Sequence, residues 1–439
     1  MLPCLVATLG GLLFGYDTAV ISGGIGFLKQ FFALTAAQEG WAASSALLGC
    51  VLGVCVTGWF SDRFGRKTTL IVAALLFLIS AIGSALPRSL TEFVLYRALG
   101  GIGVGIASMV SPMYIAEIAP ARLRGRLVSV NQIAIATGML MAYFVNTFIA
   151  VGKTEAWNVA RGWRWMFGAE ALPCILFLVL LFFVPESPRW LQGLHRDEHS
   201  TWKTVLSGRM RRLLVIGVIL AVIQQVTGIN VILYYAPKIF QSLGVEGDAS
   251  MINTTIIGGS MVFFTLVAVM WVDKWGRRPL LLWASAGMAF ALFAFSYIAY
   301  MQIAGVIGLV LIILYIASFS IAMGPVVWVV LSEMFPNNIR GRALSVATFA
   351  LWVSNYLVSQ TFPMLNDNAF LVETFHHAFP FWVYGGLCIF SFFFVWKYIP
   401  ETKGKTLEEI EQKWNRGLQG NDSGGLGSLR SFQKDENQV

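Results

Sequence analysis

Charge is scarce in this chain: of 439 residues only 12% are Asp, Glu, Lys or Arg, against 57% hydrophobic. A soluble domain carries about 25% charged residues, so a water-facing globule is excluded and the chain belongs in a bilayer. Histidine is rarer still, with four in all, His195, His199, His376 and His377, each between apolar runs. The five cysteines, Cys4, Cys50, Cys55, Cys174 and Cys388, are odd in number, lie inside apolar stretches and form no CxxC. They read as packing residues, with neither a disulfide framework nor a zinc site. No nucleophile and base pair, metal-ligand cluster or phosphate loop is present, so we expect no enzyme, cofactor or metal. The net charge of +8 does not point to nucleic acid, because Lys and Arg sit in short loops rather than on one aromatic-studded face.

What the chain has in abundance is long apolar runs. Twelve can be drawn, near 3–28, 41–60, 68–86, 92–115, 127–150, 165–184, 213–235, 252–272, 279–300, 306–331, 343–364 and 378–398. Each approaches the roughly 20 residues a helix needs to cross the hydrocarbon core. Arg63, Arg66 and Lys67 follow the second run, Arg122, Arg124 and Arg126 the fourth, Lys274, Arg277 and Arg278 the eighth, and Arg340 and Arg342 the tenth. This bias predicts cytoplasmic even-numbered loops and cytoplasmic termini. The first run carries Asp17 and lacks a cationic leader, which argues against a cleaved signal peptide.

The basic loops also repeat. GWFSDRFGRK at 58–67 is echoed by VDKWGRR at 272–278, EIAPARLRGR at 117–126 by EMFPNNIRGR at 333–342, and PESPRW at 185–190 by PETKG at 400–404. Offsets of 211, 216 and 215 positions imply duplication of a six-helix membrane unit. The expected organisation is a bundle over 1–190, a cytoplasmic linker over 191–212, a second bundle over 213–400, and a tail over 401–439 that begins as a short helix and becomes disordered.

Three charges sit where charge is costly. Asp17, Arg97 and Glu170 fall inside runs 1, 4 and 6. An ionised group at mid-span costs about 2.5–3.5 kcal/mol even on a lenient scale, so each should face a cavity or a partner. Counted from the helix ends at 1.5 Å per residue, all three lie roughly 20–30 Å from the cytoplasmic side and can share one bundle. A carboxylate beside a buried guanidinium is pulled two ways, desolvation favouring its neutral form and the cation its charged form. Such a group can exchange a proton as its exposure switches sides; a static pair that fixes helix packing is the alternative.

The repeated loops suggest a second device. Arg63, Arg66, Arg124 and Arg189 of the first half and Arg277 and Arg340 of the second can pair with Asp62 and Asp273 in the loops and with Glu117, Glu186, Glu333 and Glu401 at helix ends. Such pairs would form a cytoplasmic gate, beyond their contribution as topogenic charge. In run 7, QQVTGINVILYYAP places Gln224, Gln225 and Asn230 among apolar residues, with Gly228 and Pro237 weakening the helix. Neutral amides offer donors and acceptors to an uncharged polyhydroxylated solute, or simply bond neighbouring helices. Trp328 and Trp352 could supply an apolar platform or plain packing.

At this point the motifs match a family. GGLLFGYDTAVISG, DRFGRK, PESPRW, QQVTGINVILYYAP, GPVVWVVLSEMFP and PETKGKTLEE occur in order, and over essentially its whole length the chain resembles the sugar porters of the major facilitator superfamily. Within them SPMYIAE, VSNYLVS and FWVYG bring it nearest the bacterial xylose:proton symporters. The resemblance implies an all-α membrane protein of twelve transmembrane helices in two six-helix pseudo-symmetric bundles, in the bacterial inner membrane. It further implies proton coupling through Asp17, Arg97 and Glu170, with sugar contacts at Phe14, Gln132, Gln224, Gln225, Asn230, Tyr234, Trp328 and Trp352. Met139, Met261 and Leu351 depart from polar residues at the corresponding positions, and each removes donors and acceptors from the pocket. The expected partners are a monosaccharide, a proton and the lipid bilayer, with a monomeric chain. A facilitative uniporter is the alternative, and a transporter-like sugar sensor a weaker one.

Overall fold

The computed structural model describes residues 2–120, 124–192, 207–303, 306–335, 340–401 and 403. Its elements follow from apolar runs punctuated by caps. Helix α1 is Leu2–Phe31, α2 Ala36–Phe64, α3 Arg66–Ala85, α4 Leu90–Ile118 and α5 Arg124–Ala150. Thr35 starts α2 through a capping box with Gln38, and the Ser89 side chain accepts from the Glu92 amide to start α4. Helix α6 spans Glu155–Phe182 with a π-helical turn at Asn158–Gly162.

In the second half α7 is Gly208–Val226, α8 Ile229–Ser242, α9 Gly247–Trp275 and α10 Arg277–Tyr300. Helix α11 runs through Val306–Ser318, a π-helical turn at Phe319–Met323 and Gly324–Met334. Helix α12 is Arg340–Asn366, α13 Ala369–Phe375 and α14 Phe379–Tyr398. Among the described residues eleven helices are long and apolar enough to cross a membrane, counting α7 with α8 as one span. The expected span outside that set is the eleventh run, α12, long enough but diluted by Ser354, Asn355, Ser359 and Gln360. Large apolar side chains such as Phe148, Leu172 and Trp283 are exposed around the outside, as a lipid-facing surface requires.

Three expected spans are interrupted, and the breaks have local causes. The seventh run divides at Gly228, whose φ of 91° is left-handed, and α8 is kinked again at Tyr235, two residues before Pro237. The sixth run starts at Glu155, ten residues before its expected beginning, and the tenth carries the π-turn ahead of Pro325. In the first half α1 packs against α4 and α5, and α4 also against α2 and α3; in the second, α10 packs on α11 and α14, and α7 on α12. The halves meet where α2 touches α12, α5 touches α9 and α1 touches α8. The expected boundaries of linker 191–212 and tail 401–439 fall largely on residues outside those described.

Candidate functional site

Asp17, at mid-α1, and Arg97, on the first half of α4, meet in the interior of the first bundle. Arg97 Nη1 donates to Asp17 Oδ1 at 2.7 Å and Nη2 to the Asp17 carbonyl at 2.8 Å, with both side chains at most 1% exposed. The guanidinium also lies 5.7 Å from the Phe167 ring centre. Glu170, buried at the junction within α6, is within electrostatic reach of both, yet neither of its carboxylate oxygens has a hydrogen-bond partner. Asp17 Oδ2 and Arg97 Nε are likewise unpartnered. The three charges singled out in the sequence thus share the first bundle, Arg97 bonded directly to Asp17 and Glu170 buried without a protein hydrogen-bond partner.

Beside it, the amides of α7 and α8 form one chain of bonds. Asn230 Nδ2 donates to Gln225 Oε1, Gln225 Nε2 to Gln224 Oε1 at 3.4 Å, and Gln224 Nε2 to the carbonyls of Met323 and Gly324 at 2.8 and 3.0 Å. Those carbonyls sit where the π-turn of α11 gives way to Gly324–Met334, so Gln224 ties α7 to the break. Tyr234 is buried on α8, near Asn355 of α12 and within electrostatic reach of Asp17 and Arg97. Phe14 of α1 stands 5.8 Å from Trp352 of α12, an aromatic pair spanning the two halves. Gln132 is half-buried on α5, and Trp328 on α11 is 38% exposed. Met139 and Leu351 are buried and Met261 half-buried, so these apolar departures line interior rather than lipid surface. Asn355 was not singled out in the sequence; the VSNY stretch that holds it was the available signal.

The repeated loops build the same joint twice, each within its own half. The Glu186 carboxylate accepts from the amides of Arg66 (2.9 Å) and Lys67 (3.1 Å), and that of Glu401 from the amides of Arg277 (3.0 Å) and Arg278 (3.1 Å). A carboxylate at a helix N-terminus answers both the free amides and the helix dipole. Gly65 and Gly276 precede these helices at φ/ψ of 93°/164° and 87°/154°, a region essentially reserved for glycine. A Cβ at either would run into the carboxylate, 2.2 Å from Glu186 Oε2 or 2.6 Å from Glu401 Oε2. Arg66 further pairs with Asp62 at 2.9 Å and Glu117 at 3.2 Å, and Arg277 with Glu333 at 3.3 Å. Arg63 lies over the Trp59 ring and Arg189 is exposed on a single turn, Pro188–Leu191. The side chains of Arg124, Asp273 and Arg340 lie outside the described residues.

Among the described residues, the ion pairs that cross between halves occur at the opposite end. Lys29 at the end of α1 meets Asp367 after α12 at 2.8 Å, and Lys238 of α8 meets Glu39 of α2 at 2.7 Å. Burial raises the Asp367 carboxyl, but hydrogen bonds from Lys29 and Lys238 outweigh it and hold the group below the ordinary range. Ser44 Oγ donates to Gln360 Oε1 at 2.9 Å, Gln360 Nε2 to the Ala37 carbonyl at 3.0 Å, and Tyr143 OH to the Leu233 carbonyl at 2.8 Å, all between halves. Sequence reasoning missed this cluster, because its members are separated by up to 338 positions and look like ordinary helix-end charges.

Two pseudo-repeated helix bundles, holding a buried carboxylate–arginine pair and a chain of bonded amides, define the major facilitator fold. The chain belongs to the sugar transporter family, whose profile, described as Sugar (and other) transporter, matches residues 3–201 and 192–414. It is 45% identical to the D-xylose-proton symporter of Escherichia coli K12 over 93% of this chain and 94% of that protein. It is 39% identical to the arabinose-proton symporter of Bacillus subtilis over 93% of each. A crystal structure of a D-xylose-proton symporter superposes with a TM-score of 0.85 at 46% identity, over 92% of this chain and 99% of the other.

Proposed function

We propose that this chain is a proton-coupled monosaccharide symporter that takes a pentose or hexose of xylose type and works by alternating access between its two halves. The relatives named for proton symport of xylose and arabinose support the reaction class. The observation that carries the coupling is the triad: Arg97 holds one oxygen of Asp17 while Asp17 Oδ2 and both oxygens of Glu170 stay unpartnered. A proton bound at Asp17 removes the net charge that Arg97 answers, loosening α1 from α4. Because α1 also carries Phe14 against Trp352, that loosening reaches the sugar pocket.

The sugar is held between the Gln224, Gln225 and Asn230 amides, Tyr234 and the Phe14 and Trp352 rings, with Gln132 and Trp328 at its margins. Met139, Met261 and Leu351 favour a sugar that presents fewer hydroxyls on that side, since a buried hydroxyl without a partner costs about 1–3 kcal/mol. In this reading the bundles are 1–190 and 213–400, joined by a cytoplasmic linker over 191–212. The loops around Arg66 and Arg277 face the cytoplasm of a bacterial inner membrane, as do both termini, and the monomer is the working unit. Neither catalysis nor a cofactor is required.

Transport into proteoliposomes tests this: xylose and glucose, competed by a panel of sugars, should accumulate only with an inward proton gradient. Asp17→Asn should abolish accumulation while sparing sugar exchange. Equilibration without concentration at every imposed gradient would instead establish a uniporter.

A further inference from the structure

Four side chains close the end of the molecule remote from the repeated loops, and their pairing is redundant. The first half supplies Lys29 and Glu39, the second Lys238 and Asp367. Within halves, Lys29 lies 2.9 Å from Glu39 and Lys238 lies 2.9 Å from Asp367; between halves, Lys29 reaches Asp367 at 2.8 Å and Lys238 reaches Glu39 at 2.7 Å. Cations and anions therefore alternate around a ring of four contacts. The Glu39 side chain is wholly buried, whereas the other three retain 19–35% exposure.

We propose that Lys29, Glu39, Lys238 and Asp367 form a partner-sharing latch: closing this end adds the two cross-half pairs, and opening it returns each half to its own neutral pair. Resting on the transporter reading above, this device explains how a charged gate reopens in every cycle. A buried ion that loses its only partner is heavily penalised, which would freeze a simple two-member gate shut. Here Glu39 keeps Lys29, and Asp367 keeps Lys238, so separation strands no charge. The latch contributes only the cross-half attraction, on the scale of partly exposed pairs.

The distinguishing test uses spin labels at Thr91→Cys and Phe370→Cys, both exposed at this end on opposite halves, in a Cys55→Ser background where the remaining cysteines are buried. Removing one half's whole pair, Lys29→Met with Glu39→Gln, deletes both cross-half contacts without stranding a charge. The ratio of long to short label distances should then rise about tenfold. Lys238→Met with Asp367→Asn should do the same. Lys29→Met alone leaves Glu39 dependent on Lys238 and should keep this end closed. The inference is overturned if the paired deletions leave the distances unchanged, if Lys29→Met opens this end as far as they do, or if neither paired deletion yields folded protein. The distance measurement needs no sugar, so failure of the transporter reading would show separately, as absence of flux in proteoliposomes.

Discussion

The two ends of the molecule use the same residue types for opposite purposes. Around Gly65 and Gly276, carboxylates bond to helix N-termini and arginines of their own half, so these joints stiffen each bundle. Around Lys29, the lysines and carboxylates are shared between bundles, and the contact can be exchanged. Charge that stays within one half makes a rigid body. Charge shared between halves makes a hinge stop. Only the combination allows two stiff halves to rock without deforming.

The sharpest way to break this contrast is to unbalance the interior that both ends serve. Arg97→Leu leaves Asp17 with no cation and should destabilise the protein by about 3–5 kcal/mol, read as a large fall in melting temperature in detergent. Gly65→Ala forces a strained backbone and drives Cβ into Glu186, so a loss of about 1–3 kcal/mol is expected, with Gly276→Ala behaving alike. An unchanged melting temperature for both would sink the claim that these joints brace the bundles. Tyr143→Phe removes one hydroxyl bond between halves and should favour opening of the Lys29 end by about 0.5–1.5 kcal/mol, measured by the same label distances.

The smallest effect expected is that of pH on the latch. The Asp367 carboxyl is held below its ordinary value, so its contribution is complete above the usual aspartate range of about 3.9 and is lost as pH falls through the depressed value. Label distances at this end should accordingly be flat between about pH 5 and 8. A transition in that window would show that another group governs the closure.

Much of the site was legible because bilayers penalise charge. Asp17, Arg97 and Glu170 stood out against apolar runs, and the structure joins the first two directly. The repeated loops were legible for the same reason, but whether their charges gate or brace was not: pairs of Asp62 with Arg66 and of Glu333 with Arg277 are compatible with either until the partners' halves are known. The breaks in α6 and α11 were not read, since π-turns leave the apolar pattern intact. Gly228 and Pro237 did announce the division of α7 from α8, because both act locally on the backbone.

The sequence by itself determined that this chain spans a membrane, that it does so as two copies of one six-helix unit, and that a carboxylate and an arginine lie within the first. Those features follow from composition and from the cost of burying charge, which act on each segment separately. Only the tertiary structure decided which charges are shared. Lys29 and Asp367 are ordinary polar ends of their own helices, and become a latch because folding brings α1, α2, α8 and α12 to one corner, where a buried Glu39 needs a cation and finds two.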